Sequence, residues 1–172
     1  DLNPLLSHST HLNQHRIVDQ AAAETLIVDN ALYQSLQATV RDLGVTMHVV
    51  VQFMWHKLIQ VYTQDDQTIV GTTLSGRSLP IAGIEDSIGC YINTLPLRVS
   101  WDNDNSIADQ LKSIFTSVMD INAHSSMDLA SLQKEGERLF HSLLVYENYP
   151  SVESSSGHQL DQAISYRYSV EK

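Results

Sequence analysis

The chain has 172 residues, 42% of them hydrophobic and 17% charged, which fits one globular domain able to bury roughly two thirds of its unfolded surface and excludes disorder as the default. A formal net charge of −10 and a pI near 5.0 argue against binding to a phosphate backbone or an anionic membrane, since both rely on clustered Lys and Arg. The single Cys90 cannot form an intrachain disulfide, and neither a signal peptide nor an apolar run of about 18 residues is present, so a reducing, cytoplasmic setting is expected.

Residues 1–22 are polar, hold Pro4 and show no sustained period, so they read as a linker or entry segment, with the folded unit over 23–172. "AETLIVDN" reads as a short strand running into a helix cap, with Asp29 or Asn30 able to accept a bond from a free first-turn N–H. From Ala31, Leu32, Leu36, Val40 and Leu43 recur at three and four residues, which predicts an amphipathic helix stopped by Gly44. Thr46 caps "MHVVVQFMWHKLIQVY", where Val49, Val50, Phe53, Met54, Trp55, Leu58, Ile59 and Val61 leave little polar face. A helix apolar nearly all round is expected to be buried on several sides.

"QDDQ" turns the chain into "TIVGTTLSG", whose β-branched residues predict a buried strand, and "RSLPIAGIEDS" follows as a loop. "IGCYINTLPLRV", Ile88 to Val99, alternates like a strand, yet Pro96 cannot donate to a ladder. The strand is therefore expected to leave regular pairing near Leu95, as an edge, bulge or crossover segment can. Alternation puts Ile92 and Thr94 on one side and Tyr91, Asn93 and Leu95 on the other.

A further helix is predicted from about Ser106, capped by Asn105 or Ser106, with Ile107, Leu111, Ile114, Phe115, Val118, Met119 and Ile121 on one face. "HSSMDLASLQKEG" predicts a short helix closing at Gly136, and "RLFHSLLVYENYP" a strand ending before Pro150. "SVESSSGHQ" is a Ser-rich loop, and "SYRYSVEK" alternates like a strand without a terminator. With Asp1 rather than Met at the start, that open end suggests a piece of something longer. Interspersed helices and strands give an α/β or α+β class, a two-layer sandwich with helices packed on one mixed sheet.

Chemistry is sparse. His8, His11 and His15 would share a face if helical, but they lack nearby Cys and an ordered setting, so no metal site is expected. His48 and His56 fall on the apolar helix and read as core or edge groups. Ser75 in "TLSGR" lacks the Gly-x-Ser-x-Gly elbow. Cys90 has no Lys, Arg or His in its own strand and reads as a buried, inert thiol. No phosphate-binding glycine loop is present. Arg77 follows Gly76 at a strand end, where a planar head with five donors suits a clamp between loops better than a substrate contact. "YENYP" gathers Tyr146, Glu147, Asn148 and Tyr149 at another strand end, a place where side chains line clefts and where turns also occur.

Taken in order, these segments resemble condensation domains of nonribosomal peptide synthetases over about Ala23 to Pro150. The resemblance rests on the apolar helix ending Tyr62-Thr63, then Gly71-Thr72, Ser75-Gly76-Arg77, Gly83-Ile84-Glu85, and Ile88-Gly89 through Asn93-Thr94 and Arg98. "LFHSLLVYENYP" is similar to the family's Leu-Phe-Asp-x-Leu-hydrophobic-Glu-Asn-Tyr-Pro strand, with His141 where Asp is usual. Cys90 and Tyr91 stand where Leu or Phe is common, and "AHSSMDLASLQ" is nearer the version of dual, starter or epimerisation-type members.

The resemblance implies two lobes of chloramphenicol-acetyltransferase type facing each other across a cleft, with the active site in the tunnel between them. Upstream and downstream carrier domains deliver substrates on phosphopantetheine, and no cofactor binds directly. The catalytic histidine there is the second of a His-His-x-x-x-Asp-Gly motif, which these 172 residues do not contain. The chain thus resembles the C-terminal lobe, expected to pair with an N-terminal lobe and to be inactive alone, with no catalytic residue of its own. Ser75, Arg77, Asn93 and Thr94 are the residues it implies for tunnel architecture and substrate positioning. Two other readings stay open: an epimerisation or dual-function lobe, and a non-catalytic binding or scaffold module of the same fold.

Overall fold

In the computed structural model, residues 23–77, 81–84, 86–102, 104–133 and 138–147 are described. The entry segment 1–22, Gly136, Pro150, the Ser-rich loop and the C-terminal strand pattern lie outside the described residues.

Local sequence sets the helix ends as expected. Asp29 accepts the Leu32 N–H at 2.8 Å and opens α1, Asn30–Leu43, while Gly44 closes it at φ 68°, a left-handed setting that glycine adopts without penalty. Thr46 accepts the Val49 N–H at 3.4 Å and opens α2, Met47–Thr63. Ser106 caps α3, Ile107–Ala123, by accepting the Asp109 N–H at 3.2 Å, and its Oγ lies 2.6 Å from the Asp109 carboxylate, so side chain and backbone brace one turn. Asp128 opens α4, Leu129–Leu132, but here the end differs from expectation: the helix is a single turn that stops at an extended Gln133, short of the Gly136 expected to close it.

Among the described residues the sheet has three strands in the order β2-β1-β3, with β1 at Gln67–Leu74, β2 at Asn93–Ser100 and β3 at Leu143–Leu144. The β1–β2 pairing is antiparallel and the β1–β3 pairing parallel, so the sheet is mixed, as the sequence implies. On one face Thr68, Val70, Thr72 and Leu74 alternate with Leu95, Leu97 and Val99 of the neighbouring strand, all buried. Helices α2 and α3 pack on this face through Val49, Val50, Leu111, Ile114 and Val118, and α1 adds the half-buried Leu36, Val40 and Leu43. Burying a side chain such as Leu97 or Ile114 contributes about 1.5–3 kcal/mol each. A smaller cluster of Ile59, Val70 and Leu144 ties β3 to the same layer. No helix among the described residues is long and apolar enough to cross a membrane.

Four further expectations change. Residues 23–29 pair with no strand among the described residues, and Leu26 and Ile27 stay 89% and 86% exposed; an apolar triplet without a ladder partner is only an extended lead into the Asp29 cap. The second helix is not buried all round: Met54, Leu58, Val61 and Tyr62 are exposed. Its buried face instead includes Gln52 and His56, because β1 offers threonines there. Gln52 Nε2 donates to Thr72 Oγ at 3.1 Å, and His56 Nδ1 lies 2.7 Å from Thr68 Oγ. Likewise Ile107 and Met119 of α3 face outward, while Gln110 is buried and donates to the Ser100 carbonyl at 3.0 Å.

The fourth change concerns Pro96. The register runs unbroken from Gln67–Ser100 to Leu74–Asn93, with Pro96 opposite Gly71. The Gly71 N–H points the other way, to the Ser142 carbonyl at 2.9 Å, so Gly71–Pro96 is a pair without ladder bonds between β1 and β2 and the missing proline N–H leaves the pairing intact. β2 is an edge strand among the described residues, which accommodates proline. It begins at Asn93, not Ile88, and β3 contains only two of the residues expected in it.

Gly71 meets a second constraint on the opposite face of the sheet, where the Phe140 ring lies against it. A Cβ at this position would come 2.6 Å from Phe140 Cζ and 2.7 Å from Cδ2. Gly71→Ala is expected to destabilise the chain by about 1–3 kcal/mol through overpacking, read as a lower denaturant midpoint; pairing it with Phe140→Leu should recover part of that loss.

His56 gives a pH prediction. Burial pushes its pKa from 6.5 down to about 4, so as pH falls the unfolded chain takes up this proton first. The stability it permits is whole above pH 6.5 and declines toward pH 4, by at most about 3 kcal/mol. Denaturation at a series of pH values should show His56→Gln losing less stability across that window than the parent chain.

Candidate functional site

The β1–β2 ladder ends on the pair Leu74–Asn93. Ser75 and Arg77 leave one side of that end, and Asn93 and Thr94 enter the other, so these four residues come together at one end of the β1–β2 ladder. Between the strands, the described residues 75–77, 81–84 and 86–92 form a loop whose backbone is gathered from inside.

Arg77 does most of the gathering. Its Nη1 donates to the Ile84 carbonyl at 2.8 Å and the Ser87 carbonyl at 3.0 Å, and Nη2 reaches the Gly89 carbonyl at 3.5 Å. The guanidinium also lies over the Tyr91 ring, 4.9 Å from its centroid. The planar, forked guanidinium holds these carbonyls in one fixed arrangement, which agrees with the clamp reading of the Gly-Arg pair. Gly76, at φ 68°, lets the chain pass under Tyr91, since a Cβ there would collide with the Tyr91 carbonyl, 2.9 Å from its carbon. Ser75 is exposed and its Oγ accepts the Arg77 N–H at 3.4 Å. Glu85 lies outside the described residues.

Asn93 fastens the other side. Its Nδ2 donates to the carbonyls of Ser125 at 2.7 Å and Met127 at 2.6 Å, and its Oδ1 accepts the Thr94 N–H at 2.8 Å. The side chain thereby ties the start of β2 to the turn between α3 and α4. Thr94 is half-buried, opposite Thr73. Asn93 shares its sheet face with Leu95, in keeping with the alternation.

Two residues of this site carry no signal of their own in the sequence. Ser87 Oγ lies 2.7 Å from the Ile84 carbonyl and 2.9 Å from the Tyr91 hydroxyl. A serine followed four residues later by tyrosine in a loop has no periodic signature. Cys90 corrects an expectation: it is exposed, not buried, because the strand starts only at Asn93 and leaves residue 90 on the loop surface.

Titratable groups cluster elsewhere, around α2 and β3. His48 stacks on Tyr146, ring centroids 5.3 Å apart, and its Nε2 is 3.0 Å from Gln52 Nε2. Burial lowers the His48 pKa, and burial, followed by Tyr33, raises that of Tyr146. His141 is lowered by burial and then by Arg138. Asn148, Tyr149 and Pro150 of the Tyr-Glu-Asn-Tyr-Pro stretch lie outside the described residues, as do His8, His11 and His15. Among the described residues no group of His, Cys, Asp or Glu is arranged to hold a metal ion.

These features define an α/β unit with helices on a mixed sheet and, at one end of the central strand pair, a loop fixed by polar clamps; the chemistry such a site offers is positioning. Residues 2–172 match the family profile described as Condensation domain. An N-(5-amino-5-carboxypentanoyl)-L-cysteinyl-D-valine synthase of Penicillium rubens is 33% identical over 180 residues, and one of Amycolatopsis lactamdurans 36% identical over 179 residues. Each alignment covers 99% of this chain and 5% of the relative. Among solved structures, the first condensation domain of the calcium-dependent antibiotic synthetase, in complex with substrate analogue 3a, superposes with a TM-score of 0.54 at 20% identity, over 66% of this chain and 26% of that one. The chain belongs to the condensation domain family, and the fold is the family's own.

Arg77→Lys keeps the charge but not the fork. It is expected to release at least one of the Ile84, Ser87 and Gly89 carbonyls, lowering local stability by about 1–2 kcal/mol, seen as faster amide exchange across residues 84–92 with little change in the exchange of α2.

Proposed function

We propose that this chain is the C-terminal lobe of a nonribosomal peptide synthetase condensation domain and forms one wall of the tunnel in which a carrier-bound aminoacyl amine attacks a carrier-bound acyl or peptidyl thioester. The observation that carries this reading is the convergence of Ser75, Arg77, Asn93 and Thr94 on one fixed strand-end loop, within a chain of this family. Aminolysis of a thioester requires the amine held against the carbonyl carbon, and a rigid wall contributes to that without a base of its own. The base belongs to the partner lobe, since no His-His-x-x-x-Asp-Gly motif is present here.

The chain spans about 5% of the curated relatives it matches, and the remaining functions fall to the rest of the assembly. The N-terminal lobe completes the tunnel, and upstream and downstream carriers bring substrates on phosphopantetheine. No cofactor binds this lobe directly, and the setting is cytoplasmic. Ser75, Arg77, Asn93 and Thr94 shape the tunnel wall. Arg77 and Asn93 do so by holding backbone, because the donors described for them end on carbonyl oxygens.

Two loaded carriers, the 172-residue chain and a matching N-terminal lobe provide the test, with the condensed thioester followed by mass spectrometry. Amide formation is expected only when both lobes are present. Amide formed by this chain alone would overturn the reading, and inversion of the aminoacyl α-carbon without a new amide would move the assignment to epimerisation.

A further inference from the structure

The loop between β1 and β2 spends several of its polar side chains on itself while leaving isoleucines in solvent. Three of its polar groups, the Arg77 guanidinium, the Ser87 hydroxyl and the Tyr91 hydroxyl, turn inward on one another, while Ile81, Ile88, Cys90 and Ile92 are exposed alongside Ser75 and Asp86. Solvent alone would favour the opposite arrangement, so the inward bonds hold the loop in its shape.

Proton accounting orders those bonds. Ser87 Oγ has one proton and two oxygen neighbours, the Ile84 carbonyl at 2.7 Å and the Tyr91 hydroxyl at 2.9 Å. A carbonyl can only accept, so the serine proton goes to Ile84 and Tyr91 donates to Ser87. The Ile84 carbonyl then receives Ser87 Oγ–H and Arg77 Nη1–H together, while the Arg77 guanidinium rests on the ring of the same tyrosine. Tyr91, Ser87 and Arg77 close a cycle through one carbonyl oxygen. The Tyr91 backbone joins it as well, packed against Gly76 so closely that no Cβ fits between them.

We infer that Tyr91 is a positioning residue: with Ser87 it locks the Arg77 clamp, and through that lock it fixes residues 88–92 and the entry of Asn93 into β2. The role in peptide-bond formation rests on the tunnel-wall reading above; the lock itself rests only on this geometry. Removing one hydroxyl leaves the tyrosine ring under Arg77 and the rest of the core unchanged, so the effect is local and graded.

The test uses the intact synthetase module with loaded carriers, together with amide exchange on the same proteins. In Tyr91→Phe, exchange over residues 84–92 is expected to quicken and kcat for amide formation to fall about fivefold, the equivalent of one hydrogen bond, with KM within twofold and the unfolding midpoint unchanged; Ser87→Ala, which also removes the bond to the Ile84 carbonyl, should lose at least as much. The double variant should be no worse than Ser87→Ala alone, since that substitution already removes the Tyr91–Ser87 bond. Ser87→Thr, which keeps a hydroxyl, should restore both readings. Unchanged exchange in Tyr91→Phe, or losses that multiply in the double variant, would overturn the lock. Faster exchange with unchanged kcat would overturn the positioning role while the lock and the tunnel-wall reading stand. A parent module that makes no amide, yet shows faster exchange on Tyr91→Phe, would sink the tunnel-wall reading and leave the lock in place.

Discussion

The antiparallel ladder from Gln67–Ser100 to Leu74–Asn93 is the constraint from which the other features take their places. Strand side chains alternate, so a slip of one residue would turn Thr68, Val70, Thr72 and Leu74 away from the helices and take from Gln52 and His56 the hydroxyls they contact. The same register places Gly71 opposite Pro96. Because Gly71 directs its N–H to Ser142, a proline fits the neighbouring strand and a parallel partner fits the other edge. It also ends on Leu74 opposite Asn93, so the intervening loop leaves and returns at one point.

Between helix and sheet the packing is partly polar, which selects one docking of α2. Thr68 Oγ lies 2.7 Å from His56 Nδ1 and receives the Trp101 indole N–H at 3.0 Å. Trp101 can only donate, so the threonine's own proton is available to His56. His56 Nε2 and Gln52 Oε1 are buried without a hydrogen-bond partner among the described residues. Such atoms carry a desolvation penalty of about 1–3 kcal/mol each. An all-apolar interface would avoid it but would define the helix position less sharply, and position is what a strand-end site needs.

Much of the local order is legible in the sequence, because caps and breakers act over three or four residues: Asp29, Gly44, Thr46 and Ser106 stand where the helix ends fall. Arg77 as a clamp is legible too, from donor geometry beside a glycine. Hydrophobicity alone misjudged the faces of α2, because burial of Gln52 and His56 depends on threonines supplied by a strand that follows in the chain. The start of β2 is hidden from the sequence for a related reason. Residues 88–92 alternate like a strand, yet Gly89 and the Tyr91 contacts to Arg77 and Gly76 hold them in the loop. The Ser87–Tyr91 bond is a pairing of two side chains across a turn, and no periodic pattern encodes it.

Closing a loop of this length between two adjacent strands has a modest entropic cost, growing only as the logarithm of its length, so closure alone would leave residues 75–92 many conformations. What narrows them is a donor set aimed at carbonyls: Arg77 toward Ile84, Ser87 and Gly89 on one side, Asn93 toward Ser125 and Met127 on the other. With Arg77, Ser87 and Tyr91 occupied inward, the loop presents Ile88 and Ile92 outward beside Asp86. Under the proposed reading this polarity suits a thioester tunnel, because a wall that is fixed in place and apolar on its outer side can hold the acyl chain and exclude water, while proton transfer is left to the facing lobe.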